Sequence, residues 1–194
     1  MRRIKGMLLL AVALLAACAT SPTGRRQLML VSEQQAISSS KQAYLSEMKR
    51  LDEEGKLSTD IKKNARVREI TGRLVAQAII MRPDTKDWEW SVEVIDEPET
   101  VNAWCMAGGR MAIYTGLIAK TEATDDEIAQ VMGHEIAHAL ANHTAERMSM
   151  AIAAQAGIVA VAVTSQDARY TAAAASAAML ALTLPNSRIS ESEA

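Results

Sequence analysis

Residues 124–143 read TDDEIAQVMGHEIAHALANH, and they contain all three histidines of the chain. Thr124 followed three residues later by Glu127 is a capping box, which predicts the start of a helix. On that helix His134 and His138 lie one turn apart on the same face, roughly 6 Å apart along the axis. Two imidazoles at this spacing can bind one zinc ion.

Glu135 lies about 100° further round the helix than His134, close enough to reach a water on the metal without being a ligand. The alternative is that the two histidines are ordinary core or solvated side chains. A catalytic zinc needs three protein ligands and a water, so one ligand remains to be found.

The third histidine, His143, is a poor candidate for that ligand. On a continuous helix it is rotated about 140° from His138, and no glycine breaks the helix first. We expect His143 to pack near the ligands rather than to bind the metal. Of the downstream carboxylates, Glu146 lies too far along the same helix, whereas Glu191 and Glu193 follow serines that can cap a separate helix. Both remain open on spacing alone.

The segments before the zinc helix predict an α+β fold. We expect two helices, the first from Ser32 to about Leu51 and the second from an N-cap at Thr59 to Arg82. Alternating apolar residues then predict a strand over 88–94, and two further short strands flank Gly108-Gly109. These two strands cover 101–107 and 110–115.

Everything after Gly116 is predicted to be helical. The apolar run Met150–Val163 has the length of a buried helix rather than a membrane span. A second, alanine-rich helix is expected from Tyr170 to Leu184, ending at Pro185. We expect this pair to pack against the zinc site; a hairpin that dips into a membrane is the alternative.

The N-terminus predicts export. Three basic residues and a short apolar run form a secretion signal over residues 1–17. Leu15-Ala16-Ala17-Cys18 resembles the lipobox of bacterial lipoproteins, with Cys18 as the lipidated residue and Ala19 favouring the outer membrane. We expect residues 18–31 to be a tether and residues 32–194 to be the catalytic domain. Cys105 would then be the only free thiol, and we expect it to be a buried small side chain.

Composition excludes other classes. The net charge is −2 and 49% of the residues are hydrophobic, so the chain is neither disordered nor a nucleic-acid binder. Two cysteines cannot form a disulfide framework.

The sequence resembles the HtpX and CAAX-prenyl-protease group of zinc endopeptidases, in particular their lipoprotein members with a periplasmic catalytic domain. The resemblance covers nearly the whole chain after Cys18. Its motifs are TGRRQL at 23–28, NAW at 102–104, GGR at 108–110, YTG at 114–116, the HExxH above, and SRISESEA at 187–194. Ala107 stands where members often have proline.

The resemblance implies a gluzincin-type zinc metalloendopeptidase. In it His134, His138 and Glu191 bind one Zn²⁺, Glu135 is the catalytic base, and Glu193 is not a ligand. An edge of strand 101–107 or 110–115 would pair with an extended peptide, and Asn102 would either bind that peptide or stabilise a turn. The implied substrates are misfolded or misassembled envelope proteins.

The chain stops one residue before the Asp that follows in the family motif. We therefore expect a C-terminally truncated product whose last residues form no stable helix. The alternative function is a lipid-anchored chaperone-like or adaptor module with an incomplete zinc site. A purely structural zinc site is disfavoured, because such sites have four protein ligands, usually including cysteine.

Overall fold

The computed structural model describes residues 18–165, 168–178 and 184–194. The predicted signal peptide and residues 179–183 of the predicted alanine-rich helix lie outside the described residues. The chain forms an α+β fold and divides into two compact units. The second unit is Glu33–Thr144 with Ala194, and the first contains the residues before Glu33 together with Ala145–Glu193.

The second unit begins with two long helices of 21 residues each, α1 (Glu33–Glu53) and α2 (Ile61–Met81). Both were predicted, but the N-cap of α2 is Asp60 rather than Thr59, because the Asp60 carboxylate accepts a hydrogen bond from the backbone N–H of Lys63. The buried face of α2 includes Val67 and Ile70, whereas the first apolar residue of the helix, Ile61, is exposed.

A three-stranded sheet follows a 3-10 turn at Pro83–Asp87. Its strands are β3 (Ser91–Ile95), β4 (Ala103–Cys105) and β5 (Arg110–Tyr114). β5 lies in the centre, parallel to β3 and antiparallel to β4. The 110–115 strand is therefore not an edge, which removes one of the two predicted peptide-pairing strands and leaves β4.

The β4–β5 connection depends on its two glycines. Gly108 and Gly109 have φ angles of +89° and +85°, a region that glycine adopts without strain. A Cβ atom at Gly109 would lie 2.5 Å from the ring of Trp90. The predicted glycine turn is confirmed. Its close packing fixes the point at which the chain turns back from β4 into β5.

Two further helices complete the second unit: the short α3 (Thr115–Lys120) and α4 (Asp125–Leu140). α4 packs against α2 and β4. The core between these helices and the sheet contains Val67, Ile70, Val92, Val94, Met111, Ile113, Ile128, Met132 and Ile136. This core holds α4 firmly beside the edge strand.

The first unit begins with a β-hairpin where a tether was expected. β1 (Cys18–Thr20) pairs antiparallel with β2 (Arg26–Leu28). The turn between them closes through hydrogen bonds from Ser21 N to Arg25 O (2.7 Å) and from Gly24 N to Ser21 O (2.9 Å). Ser21 and Gln27 are buried, so this segment is folded and packed rather than an extended tether.

Three helices form the rest of the described first unit: α5 (His143–Ser165), α6 (Ala168–Ala178) and α7 (Leu184–Glu193). Residues 184–185 begin α7 instead of ending the preceding helix as predicted, because proline fits the first turn of a helix, where no backbone N–H is required. The expectation that the last residues form no helix is also wrong, since α7 continues to Glu193.

The prediction of a buried helix over Met150–Val163 is not supported. Residues 150–163 belong to the longer α5, and none of them is buried. Ile152, Val159 and Val163 are each at least half exposed. By length and composition, His143–Val163 is the one described helix that could cross a membrane.

Candidate metal centre

The helix that carries HExxH is formed by strong local signals. Thr124 Oγ1 accepts a hydrogen bond from Glu127 N (3.3 Å), and Glu127 Oε2 accepts one from Thr124 N (2.8 Å). The predicted capping box is therefore present. The hydrogen bond from the Thr124 backbone is the main reason why the pKa of the Glu127 carboxyl is lowered, so the box is intact at neutral pH.

The apolar face of α4 orients its histidines. Ile128, Met132 and Ile136 are almost fully buried in the core. His134 and Glu135 are therefore half-buried on a neighbouring face, and His138 is only 7% exposed. The helix is fixed by its core side, and this orients the candidate metal-binding side chains on its other faces.

His134 and His138 direct the same ring atom to one point. Their Nε2 atoms are 3.0 Å apart, and the two rings are nearly perpendicular, with centroids 4.6 Å apart. Two nitrogens bound to one tetrahedral zinc at about 2.05 Å lie about 3.3 Å apart. The pair present in the structure therefore fits a shared zinc ion.

His143 contacts the ring nitrogen of His138 that faces away from His134. Its Nδ1 lies 2.7 Å from Nδ1 of His138, and its side chain is completely buried. If Nε2 of His138 binds a metal, the proton of that ring is on Nδ1, so His138 donates to His143. His143 then fixes the tautomer and the orientation of a ligand.

His143 lies near His138 because the helix is broken between them, whereas the sequence analysis assumed a continuous helix. α4 ends at Leu140 and α5 begins at His143, so the helix is not continuous. Asn142 lies between them with φ +60°, a left-handed conformation that asparagine tolerates. This break turns His143 back towards His138, and it also places Glu146 on a separate helix, contrary to the sequence interpretation.

Arg82 is a residue whose role at the site the sequence did not indicate. Its Nη1 donates to Leu140 O (2.8 Å) and to Asn142 Oδ1 (3.2 Å), which caps the C-terminus of α4. Its Nη2 contacts both carboxylate oxygens of Glu33, at 2.7 and 2.6 Å. With a side chain only 13% exposed, Arg82 ties the end of the HExxH helix to α1.

The edge strand β4 lies beside the HExxH helix. Cys105 is a buried free thiol, as predicted. Burial, and secondarily the negative charge of Glu135, raise the pKa of Cys105 well above its usual range. The charge of Glu135 therefore acts on a residue of β4, the edge strand that packs on α4.

Asn102 and Glu191 are the two remaining residues that the sequence analysis assigned to the site. Asn102 is exposed at the start of β4, where its Oδ1 accepts a hydrogen bond from Ala103 N (2.9 Å). This is the local structural role. Glu191 lies exposed in α7, and its assignment as third ligand stays a prediction. Cys18 begins β1, and its lipidation also stays a prediction.

The sequence model of Peptidase family M48 matches residues 61–194, more than half of the chain, including the whole HExxH helix. The chain belongs to peptidase family M48. M48 metallopeptidases are zinc-dependent, which agrees with the paired Nε2 atoms of His134 and His138.

Three relatives show how this M48 chain compares with characterised proteins. It is 32% identical over 132 residues to the human mitochondrial metalloendopeptidase OMA1, covering 66% of this chain and 24% of OMA1. It is 38% identical over 65 residues to the Escherichia coli metalloprotease YcaL, covering 34% and 25%. It is 39% identical over 62 residues to the Escherichia coli metalloprotease LoiP, covering 32% and 24%. The matches thus span about a quarter of each relative's length.

Proposed function

We propose that this chain is a zinc-dependent metalloendopeptidase of the bacterial envelope, lipid-anchored through Cys18 and facing the periplasm. The observation that carries the proposal is the convergence of the His134 and His138 Nε2 atoms at 3.0 Å on a capped, core-fixed helix. The family assignment and the metalloprotease names of the relatives support the same reaction class.

His134 and His138 would hold the zinc ion, together with Glu191 as the resemblance implies. When bound, zinc supplies Lewis acidity towards the scissile carbonyl and makes water a better nucleophile. Glu135 takes a proton from the attacking water and returns it to the leaving amine. His143 keeps His138 in the tautomer that offers Nε2.

A peptide substrate would add to the outer edge of β4 as an extra strand. β4 is an edge strand and packs on α4, the helix that carries Glu135. Backbone pairing at an edge recognises any extended chain without regard to most of its side chains. This suits unfolded polypeptides, and we propose misfolded or misassembled envelope proteins as substrates.

The lipoprotein part of the proposal depends on Leu15–Cys18, which resembles a lipobox, and on Ala19, which favours the outer membrane. It is tested by metabolic labelling with a radioactive fatty acid. We expect the label on the parent chain and none on Cys18→Ser. Equal labelling of both would contradict lipidation at this residue.

The reaction is tested by incubating the zinc-loaded chain with unfolded casein. We expect cleavage by the parent chain and none by Glu135→Gln. Glu69→Gln is the matched control, because Glu69 is exposed on α2, remote in sequence from the HExxH motif. Cleavage that persists in Glu135→Gln would refute the assigned base. A folded chain that holds no zinc but still binds casein would instead support the adaptor function.

A further inference from the structure

The turn of the β1–β2 hairpin holds the last turn of α7 by a single carboxylate. Ser21 Oγ donates to Glu193 Oε1 at 2.6 Å, and the hydroxyl of Thr23 donates to the same oxygen. The Nε atom of Arg25 donates to the other oxygen, Oε2. The Glu193 side chain is only 6% exposed, and its contacts to Ser21 and Arg25 are partly buried, whereas Thr23 is exposed.

The other edge of the Arg25 guanidinium binds a second carboxylate. Nη1 and Nη2 donate to Glu146 Oε1 and Oε2 at 2.8 and 2.6 Å, and Gln27 Nε2 adds a contact of 3.1 Å to Oε2. Glu146 is 3% exposed and lies in the first turns of α5. The hydrogen bonds to Glu146 are the largest cause of the raised pKa of Arg25, which therefore stays charged.

Only arginine can make this set of contacts. A guanidinium offers planar donors along two edges, so one side chain can bind one carboxylate bidentately and a second one through Nε. A lysine in the same place has a single ammonium group. Arg25 thus joins the hairpin, the start of α5 and the end of α7, three segments that are distant in sequence.

We propose that Arg25 is a positioning residue that fixes the helix carrying the third zinc ligand. The inference depends on the proposed function, in which Glu191 is that ligand. Glu191 precedes Glu193 by two residues and so lies about 200° round the helix from it. Holding Glu193 in the hairpin therefore directs Glu191 to the opposite side of α7.

The short length of α7 makes such a device necessary. A helix of 10 residues is marginal in water by itself, and its ends fray. Burial along the helix agrees with the anchoring: Ser190 and the Glu193 side chain are buried, whereas Glu191 is exposed. Without the contacts to Glu193, we expect the last turn of α7 to lose its defined direction.

The test is the zinc dissociation constant, measured by competition with a chromogenic chelator. We expect Arg25→Gln and Glu193→Gln each to weaken zinc binding by about 10- to 100-fold, the usual effect of removing a residue that supports a metal ligand. Arg26→Gln is the matched control: it removes the same charge one position away, from an exposed side chain. It should bind zinc within twofold of the parent.

Two further measurements separate positioning from a general loss of stability. Hydrogen exchange of the metal-free chain should show faster exchange in α7 for Arg25→Gln while α4 is unchanged. Glu191→Gln should weaken zinc binding by itself, and adding Arg25→Gln to it should have little further effect. Arg25→Lys should not restore the zinc affinity. Lysine keeps the positive charge but cannot donate along two edges as the guanidinium does.

The outcomes distinguish the two proposals. If Glu191→Gln weakens zinc binding but Arg25→Gln and Glu193→Gln stay within twofold of the parent, the positioning role is refuted and the proposed ligand stands. If Glu191→Gln leaves zinc binding unchanged, the ligand assignment fails and the positioning role falls with it. If Arg25→Gln does not fold, Glu193→Gln decides, because it keeps the bonds between Arg25 and Glu146.

Discussion

His143 offers a quantitative test of how the zinc ligands are supported. Its Nδ1 lies 2.7 Å from Nδ1 of His138, and the side chain is completely buried. His143→Phe keeps an aromatic ring of similar size but removes the acceptor. The N–H of His138 then loses this acceptor, and a buried donor that loses its acceptor costs about 1–3 kcal/mol.

Two readouts follow from this variant. For a chain of this size the loss lowers the melting temperature by about 2–4 °C for each kcal/mol. The zinc dissociation constant should rise about 10- to 100-fold, since the His138 ring loses its fixed orientation. Isothermal titration with zinc and thermal unfolding followed by circular dichroism measure the two effects.

Thr71→Val is the control for loss of a buried hydrogen bond elsewhere. Thr71 is 2% exposed and donates to Val67 O in its own helix at 2.8 Å. Its valine variant should bind zinc within twofold of the parent. If His143→Phe also stays within twofold, the histidine does not orient His138 and the argument is refuted.

Three further predictions concern the framework of the site. Arg82→Met should lower the free energy of unfolding by about 2–4 kcal/mol, because it removes partly buried, charged hydrogen bonds to the end of α4 and to Glu33; urea unfolding measures this. Cys105 should react with a thiol reagent only on unfolding, because burial keeps it protonated and inaccessible; the absorbance of a chromogenic thiol reagent, read at a fixed time for the folded and the unfolded chain, measures the reaction. Thr124→Ala should destabilise the chain by about 1 kcal/mol through loss of the N-cap, whereas Thr124→Ser should not.

Each of these has a clear contrary result. An unfolding midpoint for Arg82→Met equal to that of the parent would show that the C-terminus of α4 needs no cap. Full modification of Cys105 in the folded chain would contradict its burial. Equal stability of the alanine and serine variants of Thr124 would show that the capping box contributes nothing.

The sequence predicted those parts of the molecule that depend on local signals. The capping box, the one-turn spacing of His134 and His138, and the glycine turn at 108–109 each involve residues within a few positions of one another. Local backbone preferences decide such features, so they can be read without knowing the fold.

Features that depend on one unusual backbone conformation or on distant contacts were not predicted. The break at Asn142 depends on a left-handed residue, and periodicity alone does not indicate it. The role of Arg82 requires that Leu140 and Glu33 meet it in space. The hairpin that includes Arg25 was interpreted as a tether because its polar composition hides contacts to Glu146 and Glu193. The sequence signals at this segment were the arginine pair Arg25-Arg26 and the TGRRQL motif, and neither indicates which distant carboxylates Arg25 contacts.

The zinc content of the purified chain tests the central claim most directly. Inductively coupled plasma mass spectrometry after dialysis against trace zinc should give one ion per parent chain and less than a tenth of that for His134→Ala and for His138→Ala. Glu135→Gln should keep the full content, because its carboxylate is assigned to the proton and not to the metal. Full zinc in either histidine variant, or a metal-free parent chain that is folded, would contradict the account.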